Sequence, residues 1–419
     1  MAISGDPLPY LNDPALPQLR RAWSPAGARQ LFDDAVLPAV WPGRRAVAVA
    51  MQDVIYQPRR ECAVLYQLTL DDGAEHRAVV TLSKDDRLDE VFASHYRMGG
   101  QRERPVVLLP DRRCLVEFFG MDWRLPALAG AIDPTGVREI DVLRYRPHHR
   151  CVFREGETVT KVFREAGQAA RTLDALRGVR DASGAVGLVT PRPLGLFEGT
   201  VLRMERLDGT PLTAAFDRGG RDADAAVSAA AAALAAFHAL PVATQAPPRT
   251  PAGELDDLRR RTTRIARVAG RLAAEIDALA ERLERAAAGL GSGEQRLLHG
   301  DFKPSQLLAM PDGIAVVDLD RIGPGDPAVD VGNFMAQLPK YALSSGRDDL
   351  RPLAERFLAE YLARAPQDGL ALRARLVQSL ALARMATRHF FHLPHTYARI
   401  GPAWPSGRLV EEARRCLPA

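Results

Sequence analysis

The chain has 419 residues, more than one typical domain core contains, so its length predicts two or three domains. Hydrophobic residues make up 47% and charged residues 26%, the balance of an ordinary soluble globular protein. Because 56 Lys and Arg stand against 52 Asp and Glu, the formal net charge is only +4, which gives no support to nucleic-acid binding.

The cysteines and the N-terminal segment indicate the cellular compartment of the protein. The four cysteines show no CxxC spacing, so no zinc site is predicted. Cys62 and Cys151 lie in strand-like segments and are interpreted as buried structural thiols. The start, MAISGDPLPYL, has no basic region followed by an apolar core, and the longest apolar run, near Ala225–Leu240, is too short to span a bilayer. These features predict a cytoplasmic protein without a membrane contact.

An internal repeat organises the first part of the chain. Residues 13–29 align without gaps on residues 122–138 through the shared pattern D-x2-L-P-x-L-x2-A-x2-P-x-G-x-R. Further on, Asp53–Cys62 resembles Asp141–Cys151, with Tyr-x-Pro-x3-Cys common to both. We therefore predict that residues 1–120 form an N-terminal α/β cap domain, a degenerate copy of the lobe that follows.

Residues 121–209 are predicted to form that lobe, which is small and rich in β-strands. Short segments rich in Val, Phe and Cys are typical of strands. The predicted strands are Asp141–Tyr145, Cys151–Arg154, Thr158–Phe163, Pro191–Leu196 and Val201–Leu207. A helix is predicted at Arg164–Val179, where Ala169, Leu173 and Leu176 share one face.

Residues 210–419 have the pattern of a large helical lobe. Ala, Leu, Arg and Glu, which favour helix, dominate this part of the chain. The predicted helical segments are Asp222–Leu240, Leu255–Leu290 (two helices), Arg351–Ala365 and Leu370–His392. The fold class is therefore α+β, with a small β-rich N-lobe, a large helical C-lobe and the extra N-terminal domain.

One segment of the helical lobe carries the residues that phosphoryl transfer requires. Such a reaction needs a carboxylate beside the acceptor hydroxyl and metal ions that bridge the phosphates. Asp301, in LLHGDFKPSQLL, is placed to accept the hydroxyl proton, and Gln306 offers an amide oxygen of the kind that Mg²⁺ binds. The strand-like run IAVVD delivers Asp318 as a second metal ligand. Asp320 is expected on the same face if the strand continues.

At these residues the sequence resembles the aminoglycoside phosphotransferase and choline-kinase-like superfamily. The matching motifs are His299-Gly300-Asp301, Asp318-Leu319-Asp320 and the GDPAVD motif at 325–330. Gln306 departs from the family, which usually has Asn there. With the long N-terminal extension, it is similar to the maltokinase branch of capped bacterial sugar kinases.

The resemblance implies a bilobal, protein-kinase-like fold and the use of ATP, with GTP as the alternative nucleotide, together with Mg²⁺. It implies that Asp301 is the catalytic base, with His299 more an orienting group than a proton-transfer agent. Gln306, Asp318 and Asp320 become the metal ligands. Asp330 is interpreted as a structural residue that holds the catalytic loop rather than as a metal ligand.

Further residues are assigned to the nucleotide. Lys161 resembles the strand lysine that contacts the α- and β-phosphates, and Asp174 is its candidate carboxylate partner, with Glu165 the weaker choice. No GxGxxG loop is present, and the turn Arg146–Arg150 replaces it. Its His148, His149 and Arg150 either face the phosphates or form a solvated basic turn. The segment Met204–Leu207, with Glu205 and Leu207, resembles the hinge that binds adenine.

The acceptor site is the part that the sequence defines least. We expect it near Asp301 and the C-terminal helices, and its candidate residues are Lys303, His392, Tyr397 and Trp404. Phe390 and Phe391 are interpreted as core. The tail is basic, with Arg384, Arg388 and Arg399, and lacks the acidic cluster expected of a site for aminoglycoside amines. This favours a neutral or anionic acceptor such as a sugar.

Three functions follow from this reading. The first is a kinase that acts on a hydroxyl of a sugar, amino sugar or related metabolite. The second is an antibiotic phosphotransferase. The third is a nucleotide-binding pseudokinase scaffold, suggested by the missing glycine loop and the altered Asn position. Either a monomer or a homodimer fits the sequence.

Overall fold

The computed structural model describes residues 13–96, 105–132, 140–242, 244, 246–291, 293–311, 313–392 and 406–417. Its first sheet follows three short helices, α1 (Leu19–Ala22), α2 (Pro25–Leu31) and α3 (Leu37–Val40), with a π-helical turn at Phe32–Val36. The sheet has the order β1-β2-β3-β5-β4, and all its neighbours are antiparallel. Its strands are β1 (Ala46–Gln57), β2 (Glu61–Leu70), β3 (Glu75–Ser83), β4 (Val106–Leu109) and β5 (Cys114–Phe118), with helix α4 (Arg87–His95) after β3.

The second sheet repeats this topology. Its order is β6-β7-β8-β10-β9, and a helix again follows the third strand. The elements are α5 (Leu128–Ala131), β6 (Asp141–Arg146), β7 (Arg150–Glu155), β8 (Thr158–Phe163), α6 (Ala166–Ser183), β9 (Pro193–Phe197) and β10 (Val201–Glu205). The predicted strands of this lobe are confirmed, although the last one ends at residue 205 rather than 207.

Matching hydrogen bonds identify the two sheets as copies. Asp13 accepts bonds from the Tyr56 hydroxyl and the Arg59 backbone N–H, both at 2.7 Å. One repeat later, Asp122 accepts them from the Tyr145 hydroxyl at 2.9 Å and from the backbone N–H of His148 at 2.8 Å. Arg59 and His148 also share a positive φ, of 60° and 64°. The two sheets therefore share a strand order, an Asp–Tyr hydrogen bond and a turn conformation, while the assignment of residues 1–120 as a cap domain stays a prediction.

The register of the strands shows what the first copy lacks. In the second sheet Cys151 faces Val162 and Val152 faces Lys161. In the first sheet Cys62 faces Leu82 and Ala63 faces Thr81. Thr81 therefore occupies the position of Lys161, and the first copy has no strand lysine for a phosphate. The Thr81 hydroxyl instead lies 2.9 Å from Nε2 of His148 in the second copy.

The helical lobe contains eight helices within the described residues. They are α7 (Thr213–Arg218), α8 (Gly220–His238), α9 (Pro251–Ala266), α10 (Gly270–Ala287), α11 (Ala328–Ser345), α12 (Leu353–Arg364), α13 (Leu370–Phe391) and α14 (Ser406–Arg415). The predicted segment 255–290 is two helices, as expected. Thr250 caps α9 by accepting a hydrogen bond from the Gly253 N–H, and Pro251 stands at its first position, where no N–H is needed. No described helix is long and apolar enough to cross a membrane.

Two small sheets carry the segment with the predicted catalytic motifs. The first pairs β11 (Thr210–Pro211), β13 (Leu307–Met310) and β14 (Gly313–Val316), and the second pairs β12 (Arg296–Leu298) with β15 (Gly323–Gly325). The loop that follows β12 and the loop that follows β14 each carry one of the acidic motifs. Strand β12 leads into the first of these loops, and β15 follows the second. Because β12 pairs with β15, the two loops are held side by side.

The two large sheets share a hydrophobic core. It combines Leu65 and Val79 of the first sheet with Phe153 and Val162 of the second. Another core joins the opposite face of the first sheet to α9, α10, α13 and α14. The N-terminal domain therefore packs on both lobes. Cys62 and Cys151 are fully buried free thiols, as predicted.

The shared core predicts a large effect for Phe153→Ala. The Phe153 side chain is 0% exposed, so its truncation leaves a cavity, and the free energy of unfolding should fall by about 3–5 kcal/mol. Phe197→Ala on β9 is the matched control, because that side chain is 46% exposed, and we expect a loss below about 1 kcal/mol. Chemical denaturation measures both. Equal losses in the two variants would contradict the packing described here.

Candidate active site

The catalytic loop is anchored by one buried carboxylate. Asp330, in the first turn of α11, accepts the backbone N–H of His299 at 2.6 Å and of Gly300 at 2.9 Å. Its Oδ2 also lies 3.3 Å from Nε2 of His238. Burial raises the pKa of Asp330, but the hydrogen bond and the charge of His238, with smaller contributions from His299, outweigh it and hold the pKa below its usual value. Asp330 thus has the structural role that the sequence predicted.

Gly300 is required by the shape of this loop. Its φ is 77°, in the left-handed region that favours glycine. A Cβ at this position would lie 2.3 Å from the backbone oxygen of Arg321. The loop between β12 and Asp301 and the loop that carries Arg321 are therefore in direct contact.

His299 orients the loop from inside. Its side chain is buried, and Nε2 lies 3.0 Å from the backbone oxygen of Val317. A carbonyl oxygen only accepts, so Nε2 carries the hydrogen and donates it. The free Nδ1 then accepts the backbone N–H of Asp301 at 3.3 Å. Both ring nitrogens are thus engaged with backbone, which is the orienting role favoured by the sequence.

Asp301 is a carboxylate beside a cation. Lys303 donates to its Oδ2 at 2.5 Å. Burial raises the pKa of Asp301, but Lys303, Arg388 and Arg321 together hold it below the ordinary value. The group is therefore an anion at neutral pH, as an acceptor of a hydroxyl proton must be.

Asp318 and Gln306 come together from the two ends of the β13–β14 hairpin. The Gln306 amide donates from Nε2 to Oδ2 of Asp318 at 2.8 Å, and the backbone oxygen of Gln306 accepts the N–H of Val317 at 3.0 Å. Asp318 has a φ of 66°, a strained conformation for a residue other than glycine and one that clusters at functional sites. Strand β14 ends at Val316, so the condition under which Asp318 and Asp320 would share one face of a strand is not met.

Lys161 contacts both Asp318 and Asp320, although β14 ends before either residue. Its Nζ contacts Oδ1 of Asp318 and lies 2.8 Å from Oδ1 of Asp320. Arg150, at the start of β7, contacts Asp320 as well and lies 3.4 Å from Asp318. Burial raises the pKa of Asp318, yet Lys161 and Arg150 outweigh it and hold the pKa far below the usual range. Two N-lobe cations therefore face two C-lobe carboxylates across the cleft.

The donors at this site suit Mg²⁺. A side-chain amide and one or two carboxylates supply hard oxygen ligands, and Mg²⁺ usually adds water and substrate phosphates to such a partial set. No group of three or more His, Cys, Asp or Glu that could hold a metal occurs within the described ranges. Gln306 and Asp318 therefore fit a metal that is shared with a phosphate ligand, rather than an all-protein cage.

The structure does not bring Asp174 to Lys161. Asp174 lies on the exposed face of α6, whose buried face is formed by Ala169, Leu173 and Leu176. Glu165 is also exposed, immediately before the helix. The partners of Lys161 are instead Asp318 and Asp320, so the α6 assignment is corrected for this state of the protein. Burial in that cluster lowers the pKa of Lys161, although Asp318 opposes the shift.

The side chains of the turn between β6 and β7 have different surroundings. His148 turns inward, with Nδ1 at 2.9 Å from Asp122, so its proposed contact with phosphates is wrong. His149 is partly buried, and burial together with the charge of Arg146 lowers its pKa to about 4. His149 is therefore neutral at pH 7 and offers no cation to a phosphate. Among these residues Arg150 faces the carboxylates of the cleft.

The predicted hinge follows the last strand of the second sheet. Glu205 ends β10 opposite Thr158, and its carboxylate accepts the Arg192 backbone N–H at 3.1 Å. The backbone N–H of Arg206 donates to the backbone oxygen of Glu157 at 2.9 Å. Leu207 is partly buried in the segment between β10 and β11. The carboxylate and the backbone N–H of Glu205 are thus both paired with the backbone of Arg192.

The acceptor residues predicted from the tail have mixed outcomes. His392 is occupied, because Nδ1 lies 2.9 Å from the backbone oxygen of Val54 and Nε2 lies 3.2 Å from Arg146. It therefore joins the C-lobe to the N-terminal domain, and its substrate role is corrected. Tyr397 and Trp404 lie outside the described residues. Phe390 and Phe391 belong to the core, as predicted.

Sequence reasoning missed other polar residues near the loop. His238 supports Asp330, and Lys340 on α11 lies within the electrostatic reach of Asp301 and Lys303. Neither belongs to a recognisable motif. His238 is identified by the contact of its Nε2 with Asp330 in the folded structure.

Residues 149–377, more than half of the chain, match the phosphotransferase enzyme family (APH). No curated protein matches the chain. Solved structures with a similar overall arrangement include a choline/ethanolamine kinase family protein from Mesorhizobium loti, with 17% identity and a TM-score of 0.45. That match covers 70% of this chain and 89% of the other.

Two further solved structures are phosphotransferases. The aminoglycoside phosphotransferase APH(4)-Ia, in complex with ADP and hygromycin B, has 18% identity and a TM-score of 0.49, covering 68% of this chain and 97% of the other. The macrolide 2'-phosphotransferase MphH from Brachybacterium faecium has 20% identity and a TM-score of 0.41, covering 71% and 98%. The family match, which contains every acidic motif described above, decides the assignment. The chain belongs to the phosphotransferase enzyme family.

Proposed function

We propose that this protein is an ATP- and Mg²⁺-dependent kinase that phosphorylates a hydroxyl of a sugar, amino sugar or related small metabolite. The observation that carries the proposal is the cleft itself. It presents the anionic Asp301 on one loop and the Asp318–Lys161–Asp320 cluster on the next. Proton acceptor, metal ligands and phosphate-binding cation are the parts that phosphoryl transfer needs.

Asp301 would orient the acceptor hydroxyl and take its proton. The carboxylate is already charged, and its loop is fixed through Asp330 and His299. Lys303, 2.5 Å from Asp301, places a positive charge beside the point of transfer. That charge would stabilise the phosphoryl group as negative charge spreads over its oxygens.

Lys161 and Arg150 would bind the nucleotide phosphates. In this state both are bound to acidic residues, so phosphate oxygens would replace some of these contacts when ATP enters. Gln306 and Asp318 would hold Mg²⁺, which neutralises phosphate charge when bound. GTP remains the alternative nucleotide.

The scaffold reading has less support. Lys161, Asp301 and Asp318 are all retained, and a scaffold that only binds nucleotide would not need Asp301. The N-terminal domain is proposed to act as a cap that stiffens the small lobe, since the two sheets share a core. Limited proteolysis that releases residues 1–120 as a folded unit and leaves full activity behind would contradict the cap.

We predict that Asp301→Ala lowers kcat by roughly 10²- to 10⁴-fold, the range of general acid–base catalysis. Binding of Mg-ATP should persist, because Lys161, Gln306 and Asp318 remain. Coupled ADP release over a panel of sugars, amino sugars and aminoglycosides measures turnover, and calorimetry measures nucleotide binding. Asp256→Ala, on the exposed face of α9, is the control. Turnover that survives the Asp301 change nearly intact would refute the assignment.

We predict that Asp330 affects both stability and kcat. Asp330→Ala leaves the N–H groups of His299 and Gly300 buried without an acceptor, and the free energy of unfolding should fall by about 2–6 kcal/mol. Asp330→Asn keeps one acceptor oxygen, so it should fold and lose kcat more than affinity for ATP. Asp256→Asn serves as the control. A folded Asp330→Asn protein with normal kcat would show that the loop does not depend on this anchor.

A further inference from the structure

The turn between β6 and β7 delivers Arg150 to the cleft. Arg146, the last residue of β6, faces Arg150, the first residue of β7, across the three turn residues 147–149. The guanidinium of Arg150 contacts Asp320 and lies 3.4 Å from Asp318. The position of this cation therefore depends on the conformation of a short turn that contains no glycine.

His148, in the middle of this turn, has a buried side chain. It is 2% exposed, and its φ of 64° lies in the left-handed region. The equivalent turn of the first copy, residues 58–60, has Arg59 in its middle with a φ of 60°, but Arg59 is exposed. The shape of the turn therefore does not require a buried side chain, and the burial of His148 is specific to the second copy.

Both ring nitrogens of His148 have partners. Nδ1 lies 2.9 Å from Oδ1 of Asp122, whose Oδ2 accepts the backbone N–H of His148 at 2.8 Å. Nε2 lies 2.9 Å from the hydroxyl of Thr81, which belongs to β3 of the first sheet. Thr81 occupies the position that Lys161 has in the second sheet. The first copy thus contacts the turn through the residue that replaces the strand lysine.

A second residue of the first sheet encloses the imidazole. Glu117, on β5, is fully buried, and its Oε2 lies 3.8 Å from Nε2 of His148. Its Oε1 accepts the backbone N–H of Trp123 at 2.9 Å and contacts the Tyr96 hydroxyl. Buried polar groups are costly when they lose their partners. The side chain of His148 is therefore restricted to one orientation.

The strand that leads into the turn is also held by the first copy. Arg144, on β6, donates to Oδ2 of the buried Asp53 on β1 at 2.9 Å. Arg146, at the end of β6, lies 3.2 Å from Nε2 of His392, whose Nδ1 contacts the backbone of β1 at Val54. Both the turn and its entering strand are thus fixed against the N-terminal part of the chain.

We infer that His148 is a positioning residue for the nucleotide: Thr81 and Asp122 hold it, and it holds the turn so that Arg150 meets the phosphates. This inference rests on the proposed kinase function. A glycine-rich loop binds phosphates with its own backbone N–H groups, whereas this turn presents a side-chain cation. Contacts that fix the turn before the ligand arrives lower the ordering cost of binding. The first copy thereby sets the affinity for Mg-ATP without contacting it.

Thr81→Val tests the contact between the two sheets. Valine keeps the branched shape and removes the hydroxyl, so the affinity of the full-length protein for Mg-ATP should fall about three- to tenfold in calorimetric titration. Thr81→Ser keeps the hydroxyl and should restore the affinity. Thr262→Val is the matched control, because the Thr262 hydroxyl is also buried and donates only within α9, to the backbone oxygen of Leu258. It should leave the affinity unchanged.

A double-mutant cycle assigns the effect to Arg150. Arg150→Gln should weaken Mg-ATP binding at least as much as Thr81→Val, and adding Thr81→Val to it should cause less than a twofold further loss. A merely structural Thr81 would reduce affinity equally with and without Arg150. His148→Gly suits the positive φ and removes both side-chain contacts, so it should reproduce the loss of Thr81→Val or exceed it.

Failure of the inference and failure of the proposed function are distinguishable. If Arg150→Gln weakens binding while Thr81→Val and His148→Gly bind Mg-ATP as the wild type does, the inference is overturned and the kinase proposal stands. A loss in Thr81→Val that persists undiminished in the Arg150→Gln background overturns it as well. A wild-type protein that does not bind Mg-ATP contradicts the proposed function, and the inference with it.

Discussion

The site depends on the contact of Lys161 with Asp318 and Asp320. It joins a strand of the small lobe to the acidic loop of the helical lobe, with Arg150 as a second cation from the same lobe. Buried charges of this kind are stable only when paired, so each lobe holds groups that the other neutralises. An incoming nucleotide phosphate and its metal carry the same two charge types. The contact of Lys161 with Asp318 and Asp320 therefore pairs the same charges that a bound phosphate and its metal are proposed to pair.

The N-terminal copy shows how the same topology is used without that contact. Both sheets have the same strand order and the same Asp–Tyr hydrogen bond, but Thr81 stands at the position of Lys161. The first copy therefore lacks the cation that would organise a phosphate site. It packs on the second sheet, and His392 connects it to the end of α13. The family match begins at residue 149, which leaves this copy outside it.

Local patterns in the sequence predicted most of the fold, and long-range geometry accounts for the errors. Strand and helix periodicity located the second sheet and helices α6, α8, α9, α10, α12 and α13, but it missed α11, which carries Asp330. Motif spacing located Asp301, Gln306 and Asp318. The partner of Lys161 was missed because it lies 157 residues away, whereas Asp174 was merely near in sequence. The direction of His148 depends on Asp122 and Thr81, two residues remote from its turn.

The central claim is that Asp318 makes this cleft a site for Mg-nucleotide. The most direct measurement is the affinity for ATP, with and without Mg²⁺, of the wild type, Asp318→Asn and Asp181→Asn, the last being an exposed control on α6. We expect Mg²⁺ to strengthen ATP binding in the wild type and in the control. In Asp318→Asn that Mg²⁺ dependence should fall at least about tenfold, since a carboxylate ligand is lost. An unchanged Mg²⁺ dependence in Asp318→Asn would contradict the account.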